Sequence, residues 1–132
     1  MKSLRSSLLM LFAVATTTVS AFAADPNGTW KFSTTMPNGR TTESTLALVW
    51  QQNQLTGTID NRAGKASIEK ASFANDQIDF TVQREFGRRL RKKKFTVHYT
   101  GNVEGDTITG TIQTSGRDEK PISVPWKAER VK

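Results

Sequence analysis

Cysteine is absent from all 132 residues. That excludes disulfide staples, thiolate nucleophiles, thiolate metal sites and the lipid-bearing cysteine of a processed bacterial lipoprotein, so stability must come from packing and hydrogen bonds. The chain has a single histidine, His98, and a single tyrosine, Tyr99. With no second histidine and no cysteine, neither a metal centre nor a histidine-dependent triad has its partner residues. His98 reads as a solvated strand histidine. No apolar run reaches the roughly 20 residues that a membrane-spanning helix needs. Metal, cofactor, catalytic residues and a transmembrane segment are therefore not expected. The carboxylates Glu43, Asp60, Asp79 and Glu85 are scattered, and their spacing places no two in one pocket as an acid/base pair.

The first residues carry Lys2 and Arg5, then an apolar stretch from Leu8 to Val14, then a segment closing with Ala21-Phe22-Ala23. This is the pattern of a signal peptide over 1–23, which predicts an exported protein, periplasmic or extracellular, with one folded domain over 24–132. The formal charge is +7; Lys2 and Arg5 contribute two, so residues 24–132 carry 7 − 2 = +5. The excess is local. Arg88, Arg89, Arg91, Lys92, Lys93 and Lys94 follow Arg84 with Glu85 as the lone acid among them.

From residue 24 onward, turn residues recur at short intervals and the segments between them alternate apolar with polar residues, the period of a strand. The expected strands cover 29–35, 42–51, 54–60, 67–74, 77–86, 93–104, 107–114 and 123–131. No sustained 3.6-residue stripe predicts a helix. Asn38-Gly39 suggests a type I′ hairpin turn with positive φ at both residues. Parity puts Trp30, Phe32, Leu46, Leu48, Trp50, Leu55, Ile59, Phe73, Ile78, Phe80, Val82, Phe95, Val97, Tyr99, Val103, Ile108, Ile112, Val124 and Trp126 inside.

Leu55-Thr56-Gly57-Thr58-Ile59 returns as Ile108-Thr109-Gly110-Thr111-Ile112. With Gly101, the two glycines fall on inward parity, where a missing side chain permits the bend of a small closed sheet. The expected fold class is all-β: an eight-stranded antiparallel up-and-down meander closed into a barrel, with no exposed edge.

Gly28-Thr29-Trp30 opens the first strand, and Arg130 sits in the last. Together they resemble the calycin signature of lipocalins and avidins, and the chain is similar to small exported bacterial lipocalin-like domains. The resemblance implies that Gly28, Trp30 and Arg130 close the barrel, with a guanidinium laid over an indole. It implies neither the lipocalin nor the avidin ligand.

An eight-stranded barrel holds at most one small molecule. Thr34 and Ser44, among neighbouring threonines, suggest a polar mouth with Trp50 below it. With Tyr99 they form the candidate site for a sugar or a small amphipathic ligand. Arg88, Arg89, Arg91, Lys92, Lys93 and Lys94 are the candidate contacts to an anionic envelope polymer or lipid, with no sequence-specific nucleic acid partner. The expectation is a monomeric, non-enzymatic binding module. The alternatives are a barrel-type inhibitor of a secreted enzyme and an accessory domain of carbohydrate metabolism.

Overall fold

The computed structural model describes residues 24–86, 93–115 and 120–132; the expected signal peptide lies outside them. Nine strands follow one another: β1 Gly28–Thr35, β2 Thr41–Gln51, β3 Gln54–Asn61, β4 Gly64–Ser67, β5 Glu69–Ala74, β6 Gln77–Phe86, β7 Lys93–Glu104, β8 Thr107–Ser115 and β9 Pro121–Arg130. Among the described residues there is no helix, and so none long and apolar enough to cross a membrane.

All nine belong to one sheet in the order β4-β3-β2-β1-β9-β8-β7-β6-β5. Every pairing is antiparallel and joins strands adjacent in sequence, except that β1 pairs with β9 through Trp30↔Arg130 and Phe32↔Ala128. The sheet is thus an up-and-down meander whose first and last strands join, and its two ends, β4 and β5, are consecutive in the chain. The result is a nearly closed barrel.

The expected eight strands become nine because the fourth is split. Residues 64–67, expected to be partly loop, pair with β3; residues 69–74 pair with β6. Ile68 between them is buried, and its N–H donates to the Gly57 carbonyl at 3.1 Å. Lys70 takes a φ of 49° where the β5–β6 register shifts. A segment that must change partners at a seam cannot keep one straight ladder, so it breaks at the change.

Two-residue turns occur where both central residues have positive φ, at Gln52-Asn53 (50° and 61°) and Asn75-Asp76 (52° and 64°). Asn38-Gly39 departs from the type I′ expectation. The Gly39 N–H donates to the Met36 carbonyl at 2.8 Å, which centres the reversal on Pro37-Asn38, and Gly39 alone, at φ 85°, takes the left-handed position. Proline, locked near φ −65°, cannot follow the positive φ that a type I′ turn centred one residue earlier would require, and it suits the first corner of an ordinary turn.

The core is the inward series of alternate residues, with Trp30, Leu46, Ile59, Phe80, Val82 and Ile108 fully enclosed. Ile68 and Ala128 join it beyond the expected set, while Trp50, Phe73 and Phe95 are only partly buried at its margins. Phe80 stacks on Tyr99 at 4.9 Å, and Phe32 meets Trp126 edge-on at 5.0 Å.

The repeated Thr-Gly-Thr segments lie in β3 and β8. A Cβ on Gly57 would stand 2.1 Å from the Ala47 carbonyl oxygen, and one on Gly110 would stand 1.8 Å from that of Thr100. At both copies the neighbouring backbone comes too close for any other residue, which is how so small a sheet coils tightly.

Candidate functional site

The two ends of the barrel differ because the inward series changes character along each strand. In β1 it runs Trp30, Phe32, Thr34; in β2, read towards the same end, Leu48, Leu46, Ser44. In β3 it ends at Asn61, in β6 Ile78, Phe80 and Val82 lead to Arg84, and in β8 Ile108 and Ile112 lead to Thr114. These five strands therefore trade apolar for polar residues as they approach the same rim, while β7 keeps Val97 and Phe95 there.

At that rim a cavity of about 420 Å³ opens, lined by these polar groups and by Met36, Phe95, Val97, Tyr99 and Ile112. Bulk water occupies about 30 Å³ per molecule, so the space exceeds a few waters, and it falls within the range of small-molecule sites. Thr34 and Ser44 are buried there, with the Asn61 amide donating to the Ser44 hydroxyl at 3.4 Å.

Arg84 spans the seam. Its Nη1 donates to the Gly64 carbonyl on β4 at 3.0 Å, tying β6 to the strand at the other end of the sheet. Its Nη2 is buried without a hydrogen-bond partner, and so is the Thr114 hydroxyl oxygen. Both residues line the cavity.

Tyr99 sits on the inner wall between Phe80, Phe32 and Trp126. Burial pushes its phenol up to about 12, and the Arg84 guanidinium pulls weakly the other way. The folded state therefore holds the phenolic proton more tightly than the unfolded chain. The stability this contributes is complete below pH 10 and is lost as pH rises from about 10 to about 12. Since Tyr99 is the chain's one tyrosine, ultraviolet titration should show a single phenolate transition near pH 12 in the folded protein and near pH 10 in denaturant. A folded-state midpoint at 10 would contradict its burial.

The opposite end is closed. The Trp30 indole donates to the Pro26 carbonyl at 3.0 Å, and the Arg130 guanidinium lies 4.3 Å from the Trp30 ring centroid. Arg130 also donates to the carbonyls of Asn27 and Asp25 and, through Nε, to the Asp106 carboxylate at 2.9 Å. Gly28, at φ 127°, lies against Arg130, where a Cβ would stand 2.9 Å from Nη1. Gly28, Trp30 and Arg130 therefore come together at one place, as a lid held by the residues that precede β1.

Of the expected ligand residues, Thr34, Ser44 and Tyr99 share the open cavity. Trp50 does not. It lies about 20 Å from Ser44 along β2 at a strand's usual rise, its ring edge-on to Phe73 at 5.3 Å and its backbone N–H donating to the Asn27 side-chain oxygen at 2.6 Å. Antiparallel pairing fixes this separation: Ser44 and Trp50 share a face but occupy opposite ends of one strand.

Arg84, Asn61 and Thr114 were missed as site residues, although an arginine continuing the series Ile78, Phe80, Val82 on inward parity is a legible signal. His98, expected to be merely solvated, pairs on the outer face with Asp79, Nε2 to Oδ1 at 2.7 Å. Arg88, Arg89, Arg91 and Lys92 lie outside the described residues. Lys93 opens β7, and the exposed Lys94 faces Glu85 at 3.7 Å. The strand ends flanking this basic segment border the open rim, since Glu85 and Phe95 line the cavity.

The chain matches no protein-family model, no curated protein and no solved structure.

Proposed function

We propose that the protein is an exported, calycin-like, non-enzymatic module that binds one small amphipathic molecule in the open end of its barrel. The observation carrying this reading is the pairing of an apolar wall (Phe95, Val97, Ile112) with a ring of polar side chains (Thr34, Ser44, Asn61, Arg84, Thr114) around one cavity of about 420 Å³. Such a wall-and-ring arrangement is what orients a molecule with one apolar and one polar end. At the other end of the barrel Pro26, Trp30 and Arg130 pack against one another. Asp25 and Asn27 have their carbonyls occupied by Arg130, which favours ligand binding over an inhibitor that inserts this segment into an enzyme. The basic residues from Arg88 to Lys94, joining two strands that border the entrance, would bring the module to anionic envelope polymers or lipid headgroups.

The test uses N-phenyl-1-naphthylamine, an uncharged fluorophore that brightens in apolar surroundings. It should bind the protein with micromolar affinity, and Thr42→Trp, which puts an indole into the rim, should weaken binding at least tenfold with folding unchanged. Absence of probe binding, or binding indifferent to Thr42→Trp, would remove the reading.

A further inference from the structure

Two residues that line the cavity each carry an enclosed polar atom without a partner. Arg84 spends Nη1 on the Gly64 carbonyl, while its Nη2 has nothing to donate to, and the Thr114 hydroxyl on β8 is likewise unpaired. These two atoms are the only buried, unpartnered side-chain nitrogens or oxygens among the described residues, and both belong to the lining of one cavity. A guanidinium has donors and no acceptor, so Nη2 can be satisfied only by an acceptor brought in from outside.

Charge narrows the choice. The carboxylate lining the rim, Glu85, faces outward to Lys94 at 3.7 Å, and Arg84 has no ion-pair partner among the described residues. Arg84 is half-buried with its Nη2 enclosed, and an entering anion offsets the cost of that enclosed donor where a neutral hydroxyl does so only in part. Phe95, Val97 and Ile112 form an apolar side of a space of only about 420 Å³, so the anion is compact and carried on a small hydrocarbon body.

We propose that the cavity takes the singly charged oxyanion head of a short amphipathic molecule, held by Arg84 Nη2 and the Thr114 hydroxyl, with its apolar body against Phe95, Val97 and Ile112. This rests on the small-ligand reading above and names the ligand's chemical class. Thr114 supplies a hydroxyl donor from β8, and the buried hydroxyl of Ser44 adds to the polar side of the same space. Arg62, the other arginine of the lining, is exposed to solvent, so the Arg84 guanidinium with its one free nitrogen suits a single negative charge.

The experiment compares octanoate, octyl sulfate and 1-octanol, which share a tail, by calorimetric titration of the intact protein and of Thr114→Val and Arg84→Gln. Octanoate should bind about tenfold or more tightly than octanol, the worth of a charge-assisted hydrogen bond. Thr114→Val, which leaves the Arg84–Gly64 seam contact in place, should weaken octanoate several-fold and leave octanol unchanged. Arg84→Gln should bring octanoate down to the level of octanol. A preference for octyl sulfate over octanoate would support an anionic head and assign it tetrahedral geometry. Equal binding of octanoate and octanol by the unaltered protein would overturn the anionic head while sparing the small-ligand reading. Failure of all three to bind, with N-phenyl-1-naphthylamine still bound, would overturn the head group alone; failure of that probe as well would overturn both.

Discussion

Gly110→Ala is expected to destabilise the barrel by about 3 kcal/mol or more, beyond the usual range for an inserted methyl group. The reason is the identity of the atoms it would strike. An added Cβ stands 1.8 Å from the Thr100 carbonyl oxygen and 2.5 Å from Gly101 Cα. These are backbone atoms of a neighbouring strand and cannot rotate away as a side chain would. Relief requires β7 and β8 to move apart at Gly101↔Gly110, in the middle of their pairing. That displacement would also disturb Trp126, which pairs with Gly110 and donates its indole N–H to Thr100 at 2.9 Å. Gly39→Ala is the matching control. Nothing lies within 4 Å of its added Cβ, and only the φ of 85° opposes it, so about 1 kcal/mol is expected. Urea denaturation of both variants gives the comparison; equal midpoints would show that the close approach at Gly110 is not a constraint on the fold.

Trp30→Ala should cost about 3–5 kcal/mol, the usual loss for a large aromatic removed from a core. Trp30 is wholly enclosed. Its loss also leaves the Pro26 carbonyl without its indole donor and removes the surface on which Arg130 lies. Against a total stability of about 5–15 kcal/mol for a domain of ordinary size, this is a large share. Trp30→Phe keeps a ring under the guanidinium and loses the N–H, so a smaller loss of about 1–2 kcal/mol is expected. If alanine and phenylalanine are equally tolerated in chemical denaturation, the ring does not hold the closed end together.

Much of this arrangement was legible along the chain. The alternation that placed Trp30, Leu46, Phe80 and Ile108 inside reports a local property, since successive side chains of a strand point to opposite faces whatever the strand pairs with. The same rule carries Val82 on to Arg84 and Ile112 on to Thr114, so two of the site's residues were readable by parity although their chemistry drew attention elsewhere. Trp50 shows where parity stops. It has the right face and the wrong end, because face is set by position within a strand and height in the barrel by register against neighbours. The split at Ile68 was hidden for a related reason: nothing between 64 and 74 states that the first half pairs with β3 and the second with β6.

By itself, the sequence determined an all-β chain without disulfides, turning sharply at glycine, proline and asparagine, with one apolar face per strand; that Trp30 and Arg130 meet was implied by resemblance alone. Only the tertiary structure decided which ends of those strands meet. Antiparallel register brings Thr34, Ser44, Asn61, Arg84 and Thr114 to one rim from five strands, and it leaves Arg84 and Thr114, which line one cavity, with enclosed polar atoms that have no partner. Hydrogen-bond satisfaction depends on neighbours distant in the chain, and so the need for an outside partner appears only when the sheet has closed.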